Sequence, residues 1–289
     1  MSSQTGMVEN GGSWTTVIRP RDSVVFFPVR ELWAYRDLIG LFVRRDFVSV
    51  YAQTILGPLW FFIQPVLTTL IFTVFSNKIG KIPTEGMPPF LFNMVGVVAW
   101  TYFAGCINRT SSTFVNNSGL FSKVYFPRLV MPVTAVLSNL ITFAIQFALM
   151  LGFIGYFWVY GADVRLTGWA ILTPFLLLQM AALGLGVGIL VSALTTRYRD
   201  LAFLISYGVT LWMFLTPVIW PLSVIPARYI WLCSLNPMAG VMETFRVAFL
   251  GAGRIYPEAI LIGACVTVAV LVLGLFLFHR VERTFLDTV

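Results

Sequence analysis

The side chains of this sequence that could do chemistry are few and scattered. Three cysteines, Cys106, Cys233 and Cys265, stand far apart and form no Cys-x-x-Cys pair. The single histidine, His279, closes the last apolar run and forms no metal-ligand motif with its neighbours. A metal centre needs such groups clustered, so none is expected. No Gly-x-x-x-x-Gly-Lys-[Ser/Thr] stretch occurs, so the chain carries no phosphate-binding loop of its own. The segment GLGVG at 184–188 lies inside an apolar run, with no strand before it and no ribose-binding acid after it. Its Gly184, Gly188 and Ser192 are four apart, a spacing that lets two helices approach closely. No clustered set of acids, histidine and serine suggests an enzyme. The polar chemistry that remains is that of pairing and capping. Glu243 and Arg246, three apart, can pair on one helix face. Asn236, just before Pro237, can cap a helix.

These residues sit in a chain that water cannot hold. It has 289 residues, 58% of them hydrophobic and 11% charged, against about 25% charged in a soluble domain. Mean hydropathy is +0.86. The composition defines an integral membrane protein. The net charge of +7 then reflects basic loops on one side of the bilayer rather than a nucleic-acid partner. Residues 1–28, rich in Gly, Ser and Thr, contain no cleavable signal and read as a loose cytoplasmic tail.

A spanning helix needs about 20 mostly apolar residues to cross roughly 30 Å of hydrocarbon. Six segments qualify: 57–77, 88–107, 133–160, 168–194, 201–220 and 258–278. The expected fold class is therefore an all-α polytopic membrane protein with six transmembrane helices in 56–289. Six spans place both termini on one side, and that side holds thirteen of the nineteen Lys and Arg residues, so both termini are expected in the cytoplasm. The sequons at Asn108 and Asn116 then fall on the cytoplasmic side and are read as chance. The spans contain no Asp, Glu, Lys or Arg except Glu258 at an outer edge. Ion-coupled carriers usually bury such groups, so the energy for any transport is expected from another chain.

Before the first span, 29–55 reads as an amphipathic helix lying in the membrane interface. Leu32, Tyr35, Ile39, Phe42 and Val43 fall on one face and Arg30, Asp37, Arg44 and Arg45 on the other. A surface helix packed on a partner protein is the alternative. Gly57-Pro58 is where the chain turns from lying on the bilayer to crossing it, and Pro65 should kink the span or mark irregular packing. The 109–132 loop carries its own apolar-basic pattern and reads as a docking element. The segment 221–257 is apolar but broken by Pro221, Pro226, Pro237, Gly240 and Gly251. Its pieces are too short to cross, so two re-entrant half-helices, 223–234 and 237–250, are expected at the outer side.

The stretch RRDFVSVYAQTILGPLWFFIQP resembles the start of the membrane subunits of type 2 ABC transporters, above all the exporters of O-antigen, teichoic acid and related polymers. SKVYFPRLVMP at 122–132, RYRD at 197–200, TPVIWPLSVIP at 216–226 and LNPMAGVMETFR at 235–246 agree in order and spacing. One departure is Val50, where family members often carry Arg.

The resemblance implies a homodimer in the bacterial inner membrane, served by two copies of a separate ABC ATPase that binds ATP and Mg. This chain itself would hold no cofactor and catalyse nothing. Contact with the ATPase would fall to Lys123, Tyr125, Phe126, Pro127 and Arg128, and to Arg197, Arg199 and Asp200. The interface helix would contribute Arg44, Arg45, Tyr51 and Gln53. The implied substrate is a glycan on a polyprenyl-diphosphate carrier. Aromatic faces suit sugar rings, although aromatics also anchor helices at interfaces. Trp60, Phe61, Tyr102, Phe103, Tyr229 and Trp231, with Asn236 and Pro237, are the expected channel and gate residues. A type 2 exporter of lipids or drugs, or a non-transporting membrane scaffold, are the alternatives.

Overall fold

The computed structural model describes residues 29–51, 54–121, 123–124, 126–195 and 201–285. Among them every regular element is helical. Two helices, α1 (Val29–Ala34) and α2 (Arg36–Tyr51), precede the first long apolar segment. Leu32, Ile39 and Phe42 are buried, while Arg44 and Arg45 are exposed. The apolar face of α2 therefore seats on the chain's own α7, described below. Phe42 meets Phe126 at 5.9 Å between ring centroids, and Ser138 of α7 donates to Asp46 at 3.4 Å.

Gly57 adopts a left-handed φ of 49°, which a side-chain-bearing residue resists. Pro58 follows inside a single 3₁₀ turn, Gly57–Leu59, and α3 (Trp60–Thr73) begins at once. Pro65 is buried within α3, and the helix runs through it. The irregularity appears instead at the other end, where Val74–Ile79 widens into a π-helix. Asn93 of the next helix donates to Thr73 and Ser76 there, at 3.3 and 3.0 Å, so a side-chain hydrogen bond ties the widened turn to its neighbour.

That neighbour, α4 (Pro89–Ser111), is the most enclosed long helix. It runs past the expected end of its span and leads into two one-turn helices, α5 (Thr113–Asn116) and α6 (Ser118–Phe121). Then come α7 (Val130–Val159), α8 (Thr173–Thr195) and α9 (Leu201–Leu215). Short pieces follow, including α10 (Ile230–Ser234), before α11 (Pro237–Leu250) and α12 (Pro257–Phe285).

Among the described residues, five helical segments are long and apolar enough to cross a membrane: Gly57–Ile79, Pro89–Ser111, Val130–Val159, Gly168–Ser192 and Pro257–Phe278. The fifth expected span, 201–220, gives among the described residues the 15 residues of α9, which begins next to the undescribed 196–200. At ~1.5 Å per residue the described part of that helix is roughly 22 Å long. The helix stops because Pro217 and Pro221 cannot continue it and Thr216–Val218 turns against α4 at Gly96, where a Cβ would clash with the Val218 carbonyl.

The bundle is knit by small residues at α8. A Cβ at Gly184 would stand 2.6 Å from that of Cys106, and one at Gly188 would collide with Thr110, both on α4. On the opposite face a Cβ at Gly186 would come within 2.9 Å of the Leu271 backbone on α12. The four-residue spacing seen in the sequence is thus a close helix contact, with a second contact on the other face from the glycine between.

Candidate functional site

Two polar assemblies are built into the apolar bundle, one near each end of the helices. The first lies at the end that carries α2. There α3, α4 and α7 line a partly open cavity of about 190 Å³. Phe61, Tyr102 and Phe143 supply aromatic walls, and half-exposed Trp60 stands at its edge. The Tyr102 and Phe143 rings sit 5.2 Å apart, and Phe61 stacks parallel on Phe47 of α2 at 5.5 Å. Between these walls stand Gln64, Thr101, Asn139, Thr142 and Gln146, with Arg109 also on the lining. Asn139 donates to the Ala135 carbonyl at 2.9 Å. Its Oδ1 stands where Gly105 leaves room, since a Cβ there would come within 2.7 Å. Gln146 is 2% exposed, and its Oε1 has no hydrogen-bond partner among the described residues.

The second assembly lies at the opposite end. Arg246 and Glu243, both 1% exposed, pair at 2.8 Å. Arg246 also donates to the carbonyls of Trp220 at 3.3 Å, Val218 at 2.7 Å and Pro217. Its guanidinium stacks 4.0 Å over the ring of Phe92. Glu243 accepts from the Leu222 amide at 2.9 Å. One ion pair thereby satisfies carbonyls and an amide in the broken segment after α9. Nearby, Ser223 donates to Glu85 at 2.8 Å, linking the loop before α4 to the same segment. Burial pushes the Tyr256 phenol up, and the carboxylate of Glu243 adds to that.

Between the two stands Asn236. Its Oδ1 accepts from the Met238 amide at 3.1 Å and from the Trp212 indole at 3.2 Å. Its amide donates to Thr216 Oγ1 at 2.8 Å. The side chain caps α11 and at the same time fastens it to the end of α9. Pro237 is buried, and a Cβ at Gly263, well inside α12, would lie 2.8 Å from its carbonyl.

The structure brings Trp60, Phe61 and Tyr102 to the cavity but sends Phe103 elsewhere. The Phe103 ring packs on Trp100 and Trp212, at 5.3 and 5.2 Å. Tyr229 and Trp231 are exposed, away from the cavity. Of the residues expected to meet an ATPase, Phe126 is 4% exposed and packs against α2, while Pro127 and Arg128 are half-buried and Lys123 is exposed. Gln53, Tyr125, Arg197, Arg199 and Asp200 lie outside the described residues. So does the whole 1–28 tail, and of Tyr51 only the helical backbone is described. The polar lining of the cavity is invisible to a count of charges within spans. Uncharged Gln64, Asn139 and Gln146 inside apolar runs were the available signal.

A bundle of long apolar helices with a broken apolar segment before the last defines a multi-pass membrane protein. Residues 37–250 match the ABC-2 type transporter family, and the chain belongs to it. It is therefore a membrane permease subunit of ABC-2 type. The chain is 30% identical over 264 residues to the O-antigen export system permease protein RfbA of Myxococcus xanthus, covering 90% of this chain and 98% of that one. A Klebsiella pneumoniae protein of the same name is 26% identical, over 87% of this chain and 94% of its own. The polysialic acid transport protein KpsM of Escherichia coli is 26% identical, over 84% of this chain and 93% of its own.

Proposed function

We propose that this chain is the channel-forming subunit of an ATP-driven exporter of a lipid-linked polysaccharide. The observation that carries the reading is near end-to-end similarity to O-antigen permeases, in a chain with no phosphate-binding loop. The family implies an ABC ATPase partner. Two ATPase copies would serve a homodimer of this chain, with ATP and Mg bound by the ATPases. The substrate is a glycan on a polyprenyl diphosphate, moved outward across the bacterial inner membrane. Both termini lie in the cytoplasm, which the distribution of Lys and Arg supports.

On this reading the α2 end faces the cytoplasm, and 109–132 with 195–200 receives the ATPase. Exposed Lys123 and half-buried Arg128 are accessible there, and Phe126 transmits force by its packing on Phe42. The 221–257 segment is a re-entrant gate at the outer end. The depth of Pro237 against Gly263 and the enclosure of α11 support that placement. The α9 helix reaches only part-way from the cytoplasm and hands over to this segment through Asn236.

The test is deletion of the gene with complementation by the full chain. Export predicts loss of surface polysaccharide with lipid-linked glycan accumulating inside, and co-purification of an ATPase with the tagged chain. Unchanged surface polysaccharide in the deletion strain sinks the reading.

A further inference from the structure

The broken segment between α9 and α12 is held very unevenly. All of α11 except Val247 is buried. A Cβ at Gly240 would stand 2.7 Å from the Ile260 amide nitrogen on α12. Gln179 of α8 donates to the Pro237 carbonyl at 3.4 Å. At the far end of α11 the amides of Arg165 and Thr167 donate to the carbonyls of Leu250 and Ala248, at 3.2 and 3.0 Å, and the Thr167 hydroxyl donates to that of Val247 at 2.9 Å. Arg246 and Glu243 extend this block to 217–222, through the carbonyls of Pro217, Val218 and Trp220 and the Leu222 amide. Beyond Leu222 the hold is lost. Leu222 and Ser234 are buried, and none of residues 223–233 is. Val224, Tyr229, Trp231 and Leu232 are exposed, and α10 touches α12 without burying any residue before Ser234. Among the described residues one side-chain hydrogen bond joins 223–233 to another element, that of Ser223 to Glu85 at 2.8 Å. Glu85 stands in the loop before α4 with a left-handed φ of 53°, a strained conformation for a residue with a side chain. A segment with few buried contacts opens at low cost, and one enclosed on every side does not.

We infer that the moving part of the outer gate is the strap 223–233 alone. It swings about Leu222 on one side and Ser234–Asn236 on the other, and the Ser223–Glu85 bond latches it. The α11 half is the fixed post. The inference rests on the reading of the chain as an exporter whose outer end must open. Motion of α11 would disrupt the Gly240 packing, the Thr167 ties and the Arg246 bonds together, whereas motion of the strap breaks one exposed hydrogen bond. Of the expected gate residues, Tyr229 and Trp231 then ride on the strap, and Asn236 and Pro237 belong to its frame.

The first test is made in cells, with the full chain in which Cys106, Cys233 and Cys265 are replaced by alanine. In that background Ser223→Cys and Glu85→Cys are bridged from the outer side by a short bifunctional thiol reagent. New surface polysaccharide is expected to be lost on bridging and to return on reduction, while each single-cysteine variant treated alike exports as before. Undiminished export with the bridge complete, as read by mass spectrometry of the linked peptides, overturns the strap as gate. The second test needs no transport. In the purified full chain in lipid nanodiscs, Ser223→Ala removes the latch. Amide hydrogen exchange in 223–233 is then expected to rise about fivefold, the effect of one hydrogen bond, with 238–250 unchanged. A rise shared equally by 238–250 shows that the two halves move as one, and no rise in 223–233 shows that the bond latches nothing. Either result overturns the inference. If the deletion strain keeps its surface polysaccharide, the exporter reading falls, and the exchange measurement still decides which half moves.

Discussion

The two polar assemblies are opposites. At the outer end, Arg246 reaches Glu243 and three carbonyls, with Phe92 beneath it. Arg246 Nε and Glu85 Oε2 are the buried atoms there without a partner among the described residues. At the α2 end uncharged amide residues line a cavity, and the buried Gln146 Oε1 has no partner among the described residues. A buried polar cluster that is fully bonded fixes a backbone. Both ends keep a buried atom without a partner, so what separates them is the ion pair that holds backbone groups at the outer end, against uncharged amides beside a cavity at the other.

The sharpest way to break the comparison is at Arg246. Arg246→Met leaves Glu243 buried without its partner and frees the carbonyls of 217–220. A loss of about 3–5 kcal/mol is expected from thermal unfolding in detergent. The double variant Arg246→Met with Glu243→Leu should recover part of that, because no unpaired charge remains. If the single variant is as stable as the parent, the outer assembly is not what holds the broken segment.

A smaller effect is expected at the helix contact both assemblies depend on. Gly188→Val forces α8 away from Thr110 and should cost about 1–3 kcal/mol. At Gly152 nothing among the described residues lies within 4 Å of the place a Cβ would take. A valine there should be near neutral to packing and serves as the control. Equal stability of the two variants would show that the α4–α8 contact can open freely. At Asn236, alanine removes the cap of α11 and the ties to Thr216 and Trp212, for a loss of about 1–2 kcal/mol. Limited proteolysis near 217–235 should then accelerate, and an unchanged pattern would mean the cap does not couple α9 to α11.

The smallest effect has the opposite sign. Gln146→Leu removes an unsatisfied buried acceptor and should raise the stability of the empty protein by about 1 kcal/mol. A loss of stability there would mean that the amide is bonded within the protein and that both assemblies are structural.

Several of these features were legible in the residues. The Gly57-Pro58 turn, the close packing at Gly184 and Gly188, the capping by Asn236 and the Glu243–Arg246 pair all depend on neighbours three or four apart, or on one residue's backbone freedom. Such relations are set by helix geometry and survive any tertiary arrangement. Other features were not. A 20-residue apolar stretch at 201–220 looked like a span, yet α9 ends at Leu215 because Thr216–Val218 packs on Gly96 and Arg246 takes up the carbonyls beyond. Both partners are distant in sequence.

The sequence by itself determined that this chain lives in a bilayer, where its breaks fall, and which family it resembles. Apolar length, proline and glycine placement and charge asymmetry act locally and additively. Only the tertiary structure decided that Phe126 packs inward on Phe42, that Phe103 turns away from Tyr102, and that Gln64, Asn139 and Gln146 share one cavity. Those outcomes depend on the rotation of three helices about their own axes. That rotation is set by packing against neighbours, and no single helix encodes it.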